Sequence, residues 1–254
     1  MTSRYNATLN NVPLSDIDPD ILVLDIQYQA PSYQDNTMSV SKRNGLRLVD
    51  RIYETTTVTI LFEIHSYSTQ KRQAICDDII RWAKNGGVLE TSDRPGQYLQ
   101  CVCTTFPVIQ SAKNWTDPLT ITFTAYAYPF WQEKEAAKLT LTGTSGSGTL
   151  YVPGNVDGAL VSAEVKANAS VSSFSLTVNG RTLSLSGLSL STNQIVKIEY
   201  DDNAIQSIKV GTTSLLDKRT GVDDLLAKCG EKNNISISAS ASVSATFAVR
   251  GLWI

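Results

Sequence analysis

The chain has 254 residues, of which 42% are hydrophobic and 18% are charged, and its formal net charge is −2. This balance argues against a nucleic-acid partner, because phosphate binding needs several convergent cations and no Lys/Arg run exceeds two residues. The sequence also lacks an apolar stretch of roughly 18 residues, the length that a membrane-spanning helix needs. The amino-terminal segment has no apolar core typical of a signal peptide.

The first half predicts strands around one helix. Apolar or alternating runs predict strands over Ile21–Tyr28, Val58–Ile64, Tyr98–Thr104 and Leu119–Ala127. Between the second and third of these, apolar residues recur on one helical stripe, which predicts a helix over Thr69–Asn85. Ser68 or Thr69 can cap its start, and the glycine pair that follows it suits a left-handed exit.

The second half predicts an all-β domain. Apolar residues alternate with serine from Ile235 to Ala245, which fixes the register of a strand. Asn179-Gly180 predicts a tight hairpin turn, because this pair tolerates two positive φ angles. The run GTSGSG at 143–148 reads as a linker, and a short helical turn is expected around Val222–Leu226. Several short strands at this spacing indicate a β-sandwich.

The composition changes after Trp131, so we expect the domain boundary near residues 132–148 and divide the chain into 1–135 and 136–254. The predicted fold class is mainly β: an N-terminal β-sandwich with one helix (an α+β domain), followed by a C-terminal β-sandwich.

A search for reactive groups predicts no catalytic, cofactor-binding or metal site. His65 has no recognisable nucleophile or carboxylate partner in sequence. Cys101 and Cys103, with one histidine, do not match zinc-site spacing. Without an export signal, we expect reduced thiols at all four cysteines, which also include Cys76 and Cys229. Adjacent acids are interpreted as surface features rather than an acid/base pair; they are Asp77-Asp78, Asp201-Asp202 and Asp223-Asp224.

Aromatic side chains leave two interpretations open. One group of aromatic residues lies at the end of the first half of the sequence: Trp115, Tyr126, Tyr128, Phe130 and Trp131. These residues can form a sugar-stacking platform, but packing in a core or between domains is favoured because aromatic residues bury large areas. Trp82 on the helix stripe is expected in the core. In the second half, Tyr151, Tyr200 and Trp253 are candidates for a lectin-like site, although each is also expected to be core.

The order of the segments in the first half resembles the distal tail proteins of siphophages that infect Gram-positive hosts. The resemblance rests on a strand, a helix with a late Trp, a turn and strand, a Trp-containing loop and a Thr-rich strand. In sequence these are VTILFEI, RQAICDDIIRWAKNGG, SDRPGQYLQCVC, SAKNWTD and LTITFTAYAYPFW. Asn10-Asn11 stands where such proteins start a hairpin.

The resemblance implies a structural protein of the virion, assembled in the cytoplasm of the bacterial host. The first domain would form a homohexameric ring under the tail tube, at the hub of the baseplate or tail tip. The second domain would be galectin-like or jelly-roll-like, similar to carbohydrate-binding modules, and would act as an adaptor for receptor-binding proteins. Cell-surface carbohydrate is a further possible partner. The family has no catalytic residues to transfer.

The polar segment from Ser32 to Asn44 has little apolar material of its own, and we expect it to be a loop or an extended hairpin. As a hypothesis, this segment is an arm that crosses to the next subunit of a ring. Two other interpretations stay open: a stand-alone carbohydrate-binding or adhesin module without ring formation, and a hydrolase built on a β-sandwich.

Overall fold

A computed structural model of the chain describes residues 5–39, 46–109, 117–201 and 203–254. Within those ranges the chain is built mostly of β-strands and has one α-helix, which confirms the predicted mainly-β fold class. It forms two compact units, Met1–Trp131 and Gln132–Ile254. The assignment of 1–135 to ring formation and 136–254 to an adaptor role stays a prediction.

The first unit confirms the predicted strands and helix and adds short strands at its start. Its elements are β1 (Ala7–Leu9), β2 (Val12–Pro13), β3 (Ile21–Gln29), β4 (Tyr33–Ser39), β5 (Leu46–Tyr53), β6 (Thr56–Ile64), α1 (Thr69–Ala83), β7 (Gly87–Thr91), β8 (Gln97–Thr105) and β9 (Leu119–Ala125). The Asn10-Asn11 turn joins β1 to β2, and both residues have positive φ, as the hairpin expectation requires.

The main sheet of this unit has the strand order β2-β1-β7-β8-β9-β6-β3. Its core consists of side chains from central strands that are fully buried, such as Ile60 and Phe62 on β6 and Ile121 and Phe123 on β9. Every second residue of β6 is buried, which is the alternation that predicted the strand.

Helix α1 begins and ends as its sequence predicts. The Ser68 hydroxyl accepts a hydrogen bond from the Lys71 N–H at 3.2 Å, which caps the amino terminus. At the other end Gly86 and Gly87 both have positive φ. The buried stripe includes Ile75 and Ile79, but Trp82 is only half-buried, so its placement in the core was wrong. Its ring meets Phe123 edge-on at 5.8 Å, at the margin of the core.

The described part of the second unit consists of strands and one short 3-10 turn. After β10 (Trp131–Glu133), which crosses the division, its strands are β11 (Ala137–Tyr151), β12 (Ala159–Ala167), β13 (Phe174–Val178), β14 (Arg181–Leu185), β15 (Ile195–Tyr200), β16 (Gln206–Val210), β17 (Thr213–Ser214), β18 (Arg219–Gly221), β19 (Leu226–Ala227), β20 (Lys232–Val249) and β21 (Leu252–Trp253). The hairpin predicted at Asn179-Gly180 joins β13 to β14 with two positive φ angles, which confirms it.

Strand β20 links the two layers of this unit. Its last residues, Val243–Val249, pair with β12, whereas Ile235–Ala239 pair with β13. The first layer therefore has the order β17-β16-β15-β12-β20, and the second has the order β20-β13-β14-β18. Strand β11 pairs with β20 in both layers, with a register shift at Gly143/Ser145 where the strand passes from one to the other.

Two local expectations for the second unit were wrong. The run at 143–148 is not a linker, because it lies inside β11 and pairs with β20. Its glycines leave room for side chains of the opposite layer, because a Cβ added to Gly148 would lie only 3.2 Å from Leu139 Cδ2. The helical turn expected around Val222–Leu226 is also absent there. Instead a 3-10 turn lies at Leu216–Lys218, and Arg219 holds the next loop through Asp223 at 2.7 Å.

Candidate assembly surface

The predicted arm is a β-hairpin. Strands β4 and β5 pair antiparallel from Tyr33 opposite Tyr53 to Ser39 opposite Leu46, and within the described ranges they form a two-stranded sheet of their own. The expected loop or extended hairpin covered only the first strand, and the second strand, Leu46–Tyr53, lies beyond the predicted segment. Residues 40–45 lie outside the described part of the chain.

The base of the hairpin is fixed to the first unit. The Ser32 N–H donates to the Thr55 carbonyl and the Glu54 N–H donates to the Ser32 carbonyl, both at 2.8 Å. Beside them Tyr53 meets Phe130 edge-on at 5.3 Å. An isolated two-stranded hairpin is marginally stable in water, so these contacts hold the base while the strands beyond it rely on each other.

The hairpin exposes apolar side chains. Tyr33, Met38, Val49 and Ile52 are each half or more exposed. Both of its strands are also edge strands, since neither pairs with the main sheet in the described residues. Exposed apolar side chains next to open backbone hydrogen-bonding groups are typical of a surface that another chain covers. We call the described hairpin residues, 33–39 and 46–53, the arm.

The aromatic group at the end of the first unit is packed rather than displayed. Trp131 and Phe130 are buried and Tyr128 is half-buried, whereas Tyr126 is exposed. Packing is therefore the role of most of this group. Trp115 lies outside the described residues.

Trp131 belongs to a cluster with Tyr28 and Arg94. Its ring meets Tyr28 edge-on at 5.6 Å, and the Arg94 guanidinium carbon lies 5.0 Å from the Tyr28 ring centre and 5.1 Å from that of Trp131. The Tyr28 hydroxyl bonds Thr91 at 2.9 Å and also Asp93. Burial, followed by the hydrogen bond to Asp93, raises the pKa of Tyr28 above its usual value. The cluster is a packed structural element of the first unit.

The reactive residues do not converge. His65 is exposed and its Nε2 lies 2.7 Å from Glu63. The four cysteines are free thiols, and burial raises the pKa of Cys101 to about 12 and that of Cys103 to about 11. Within the described residues, no three His, Cys, Asp or Glu side chains are grouped as a metal site would require. The helix found there is too short and too polar to cross a membrane.

The acid pairs lie on the surface in local contacts. Asp78 forms an ion pair with Arg81 on α1, and Asp77 accepts a hydrogen bond from Gln73 at 3.1 Å. Asp223 is bound by Arg219, and the Asp201 carboxylate accepts two backbone N–H bonds in its own turn. Asp202 lies outside the described residues.

The lectin-like candidates of the second unit are separated. Tyr151 is exposed on β11, so its placement in the core was wrong. Tyr200 and Trp253 are half-buried; the Tyr200 hydroxyl accepts a bond from Gln206 at 3.0 Å, and the Trp253 indole N–H donates to Glu133 at 2.7 Å.

Tyr200 does line a shallow polar groove of the second unit. The groove lies on the outward side of the first layer and also contains Lys138, Glu164, Glu199 and Thr246. The carboxylates of Glu164 and Glu199 lie 3.1 and 3.5 Å from Lys197 Nζ. These exposed ion pairs leave the groove polar but nearly balanced in charge.

Comparison with solved structures identifies the fold. The chain superimposes on the SPP1 Dit protein, described as a paradigm of the hub adsorption apparatus in phages that infect Gram-positive bacteria, with a TM-score of 0.71 over 97% of this chain and 98% of that one. The chain has the fold of a phage hub protein. Sequence identity over this match is 11%, so the likeness is one of structure.

A second match, to a phage baseplate chain, extends over nearly the whole chain. A chain of the phage P2 baseplate, in its activated conformation with Ca, matches with a TM-score of 0.52 and 9% identity over 99% of this chain and 98% of that one. No protein-family model matches the sequence, and no curated protein matches it significantly. The resemblance of the first half to distal tail proteins is thus confirmed at the level of the fold, and the structural likeness extends to the second unit.

Proposed function

We propose that this chain is a structural component of a phage tail tip or baseplate, with no enzymatic activity, and that it works as the hub. The observation that carries the proposal is the Dit-like fold over 97% of the chain. A match that includes both units supports the complete hub architecture, whereas a match to one sandwich would support only a common domain type.

In this role, the first unit forms a ring with sixfold symmetry that joins the tail tube to the tail tip. The second unit is the adaptor that holds receptor-binding proteins, and the protein is part of the virion. The scattered positions of His65, the cysteines and the acid pairs agree with a function through shape and association.

The arm is the part of the first unit that we expect to make the ring contact. It combines four exposed apolar side chains with two open strand edges. A neighbouring subunit that covered them would remove apolar area from water at roughly 25 cal/mol per Å² and would satisfy backbone groups. The fixed base at Ser32 and Glu54 sets where the arm leaves its own subunit.

Light scattering of the purified full chain tests this contact. We expect a mass several times that of one chain for the wild type, and a large loss of mass for Val49→Asp, since a buried unpaired carboxylate is costly. Val108→Asp is the matched control, because Val108 is also exposed in the first unit but lies outside the arm. An assembly unaffected by Val49→Asp would reject the arm as the ring contact.

A second variant removes the arm as a whole. Replacing residues 33–53 with Asn-Gly keeps the Glu54 N–H to Ser32 carbonyl bond as a tight turn. We expect a folded monomer whose strand signal in circular dichroism falls only by the share of the deleted strands β4 and β5. A ring of normal mass from this variant would show that assembly does not need the arm.

A stand-alone carbohydrate-binding role is the second candidate, and the observation that favours it is the polar groove with Lys138, Glu164 and Glu199. Binding of the full chain to a glycan array, lost in Glu164→Gln while the protein stays monomeric, would favour this role over the hub.

A further inference from the structure

Strand β11 has one open edge along its whole length. It pairs with β20 from Ala137 opposite Val249 to Tyr151 opposite Lys232, a strand of 15 residues. In the part of the chain that the structure describes, no other strand pairs with β11, so it is the last strand of both layers. At about 3.4 Å per residue, this edge is about 50 Å long.

Over Ala137–Gly143, before the register shift of the strand, the open edge of β11 carries few of the features that usually protect such edges. Proteins shield them with very short strands, charges, proline or cover from another element. The strands at the opposite margins of the two layers are short: β17 has 2 residues and β18 has 3. By contrast, Lys138 is the single charged residue of β11, and the strand contains no proline. A long edge with only one charge before its register shift indicates a place where another strand is added.

The side chains along β11 leave apolar surface uncovered. Leu139 and Leu141 point into the sandwich but are only half-buried, whereas their neighbours across the strand pair, Phe247 and Ala245, are fully buried. On the outward face Thr140 and Thr142 are exposed and hydrogen-bond across to Thr246 and Ser244. A strand that fits this edge therefore has apolar residues inward and hydroxyl residues outward.

We infer that the partner of this edge is the same segment, Ala137–Gly143, of a second copy of the chain, paired antiparallel about a twofold axis at Thr140. This register places Thr140 opposite the partner's Thr140, and Leu139 opposite the partner's Leu141. Lys138 faces the partner's Thr142, so the two lysines are about four residues, or about 14 Å, apart along the strand. That separation exceeds the screening length of about 8 Å at physiological salt.

The side chains of Ala137–Gly143 are complementary to those of the same segment in a second copy. Apolar residues face apolar residues inside, hydroxyls face hydroxyls outside, and no like charges are opposed. A twofold contact of this kind uses the same patch on both copies and closes after two. The register shift at Gly143/Ser145 ends the paired segment, because the strand there passes into the other layer.

A disulfide trap in the full chain tests the pairing. Residues opposite each other in antiparallel strands have Cα atoms roughly 4.5–5.5 Å apart, which is within disulfide range. We expect Thr140→Cys to give a disulfide-linked dimer under mild oxidation, well above the wild-type background from the native cysteines. The control is Glu164→Cys, an exposed position on the interior strand β12 of the same layer. Equal cross-linking of both variants, or none of Thr140→Cys, would overturn the inference.

Two further variants separate this contact from the ring. Adding Leu139→Lys to Thr140→Cys should reduce cross-linking several-fold, whereas adding Ile195→Lys, an exposed apolar site outside β11, should not. Adding Val49→Asp should leave the cross-link intact even where it dissolves the ring. If Val49→Asp abolished the cross-link and Leu139→Lys left it unchanged, the disulfide would come from collisions within a ring. The strand pairing would then be rejected.

Discussion

The Tyr28 hydroxyl lies 2.9 Å from the Thr91 hydroxyl, although three strands separate β3 from β7 in the order of the main sheet. The sheet of the first unit must therefore fold over until its distant strands meet. Tyr28 also bonds Asp93, and Arg94 stacks near its ring. Tyr28 on β3 and the turn between β7 and β8, which contains Asp93 and Arg94, therefore hold these distant parts of the sheet together.

Removing the Tyr28 hydroxyl should weaken this closure. We expect Tyr28→Phe to lower the free energy of unfolding by about 1–2 kcal/mol, because it leaves the Thr91 hydroxyl and the Asp93 carboxylate without their common hydrogen-bond partner. Urea unfolding followed by tryptophan fluorescence measures the loss. Tyr126→Phe, at an exposed tyrosine, is the control and should change stability by less than about 0.5 kcal/mol. Equal effects would mean that the bond contributes nothing to closure.

Asn233 is the buried polar residue on which the second unit depends. It is fully buried, its Nδ2 donates to the carbonyl of Lys228 at 2.9 Å, and its Oδ1 accepts from Lys228 N–H and Asn179 Nδ2 at 2.7 Å. Asn233→Leu leaves several buried groups without partners and should cost at least about 3 kcal/mol in urea unfolding. Its exposed neighbour is the control, and Asn234→Leu should cost far less. An Asn233→Leu protein as stable as the wild type would show that the buried hydrogen bonds of Asn233 do not stabilise the second unit.

Stability should fall in mildly alkaline solution because of Cys101. Burial raises the pKa of this thiol to about 12 in the folded protein, against about 8.5 in an unfolded chain. The unfolded state therefore loses its proton first, so the contribution of Cys101 is complete below about pH 8.5 and declines as pH rises toward 12. At pH 9.5 the loss is about 1 kcal/mol relative to pH 7. The pH dependence of urea unfolding should be shallower in Cys101→Ala, and an identical slope would contradict this assignment.

Gly87 lies where a side chain would collide with Asn10. A Cβ there would stand 2.1 Å from Asn10 Oδ1, and this side chain also accepts the Val88 N–H and donates to Gly86 O, both at 3.0 Å. We expect Gly87→Ala to destabilise the protein by more than about 1 kcal/mol in urea unfolding. Gly96→Ala is the matched control, since Gly96 also has positive φ but has open space around it. A larger cost at Gly96 would show that the Asn10 contact is unimportant.

The sequence predicted the elements whose signals are local. The alternation in β6 and β20, the capped stripe of α1 and the Asn179-Gly180 turn each follow from the preferences of neighbouring residues. The same local signals predicted a helix in the first half of the chain and an all-β domain in the second half.

What the sequence could not show depends on distant partners. The run at 143–148 is a strand because β20 pairs with it, and its small polar residues alone read as a linker. The exposure of Tyr151 follows from the same pairing. The open edge of β11 and the closure at Tyr28 are properties of the strand order, which no local pattern specifies. The arm was expected from its polarity, but its exposed apolar residues became apparent only with the pairing of β4 and β5.

We propose that this protein acts by assembling around an axis. Negative-stain electron microscopy of the purified full chain tests it most directly. We expect class averages of closed rings with sixfold rotational symmetry. Particles the size of single chains, with no rotational symmetry even in concentrated samples, would contradict it.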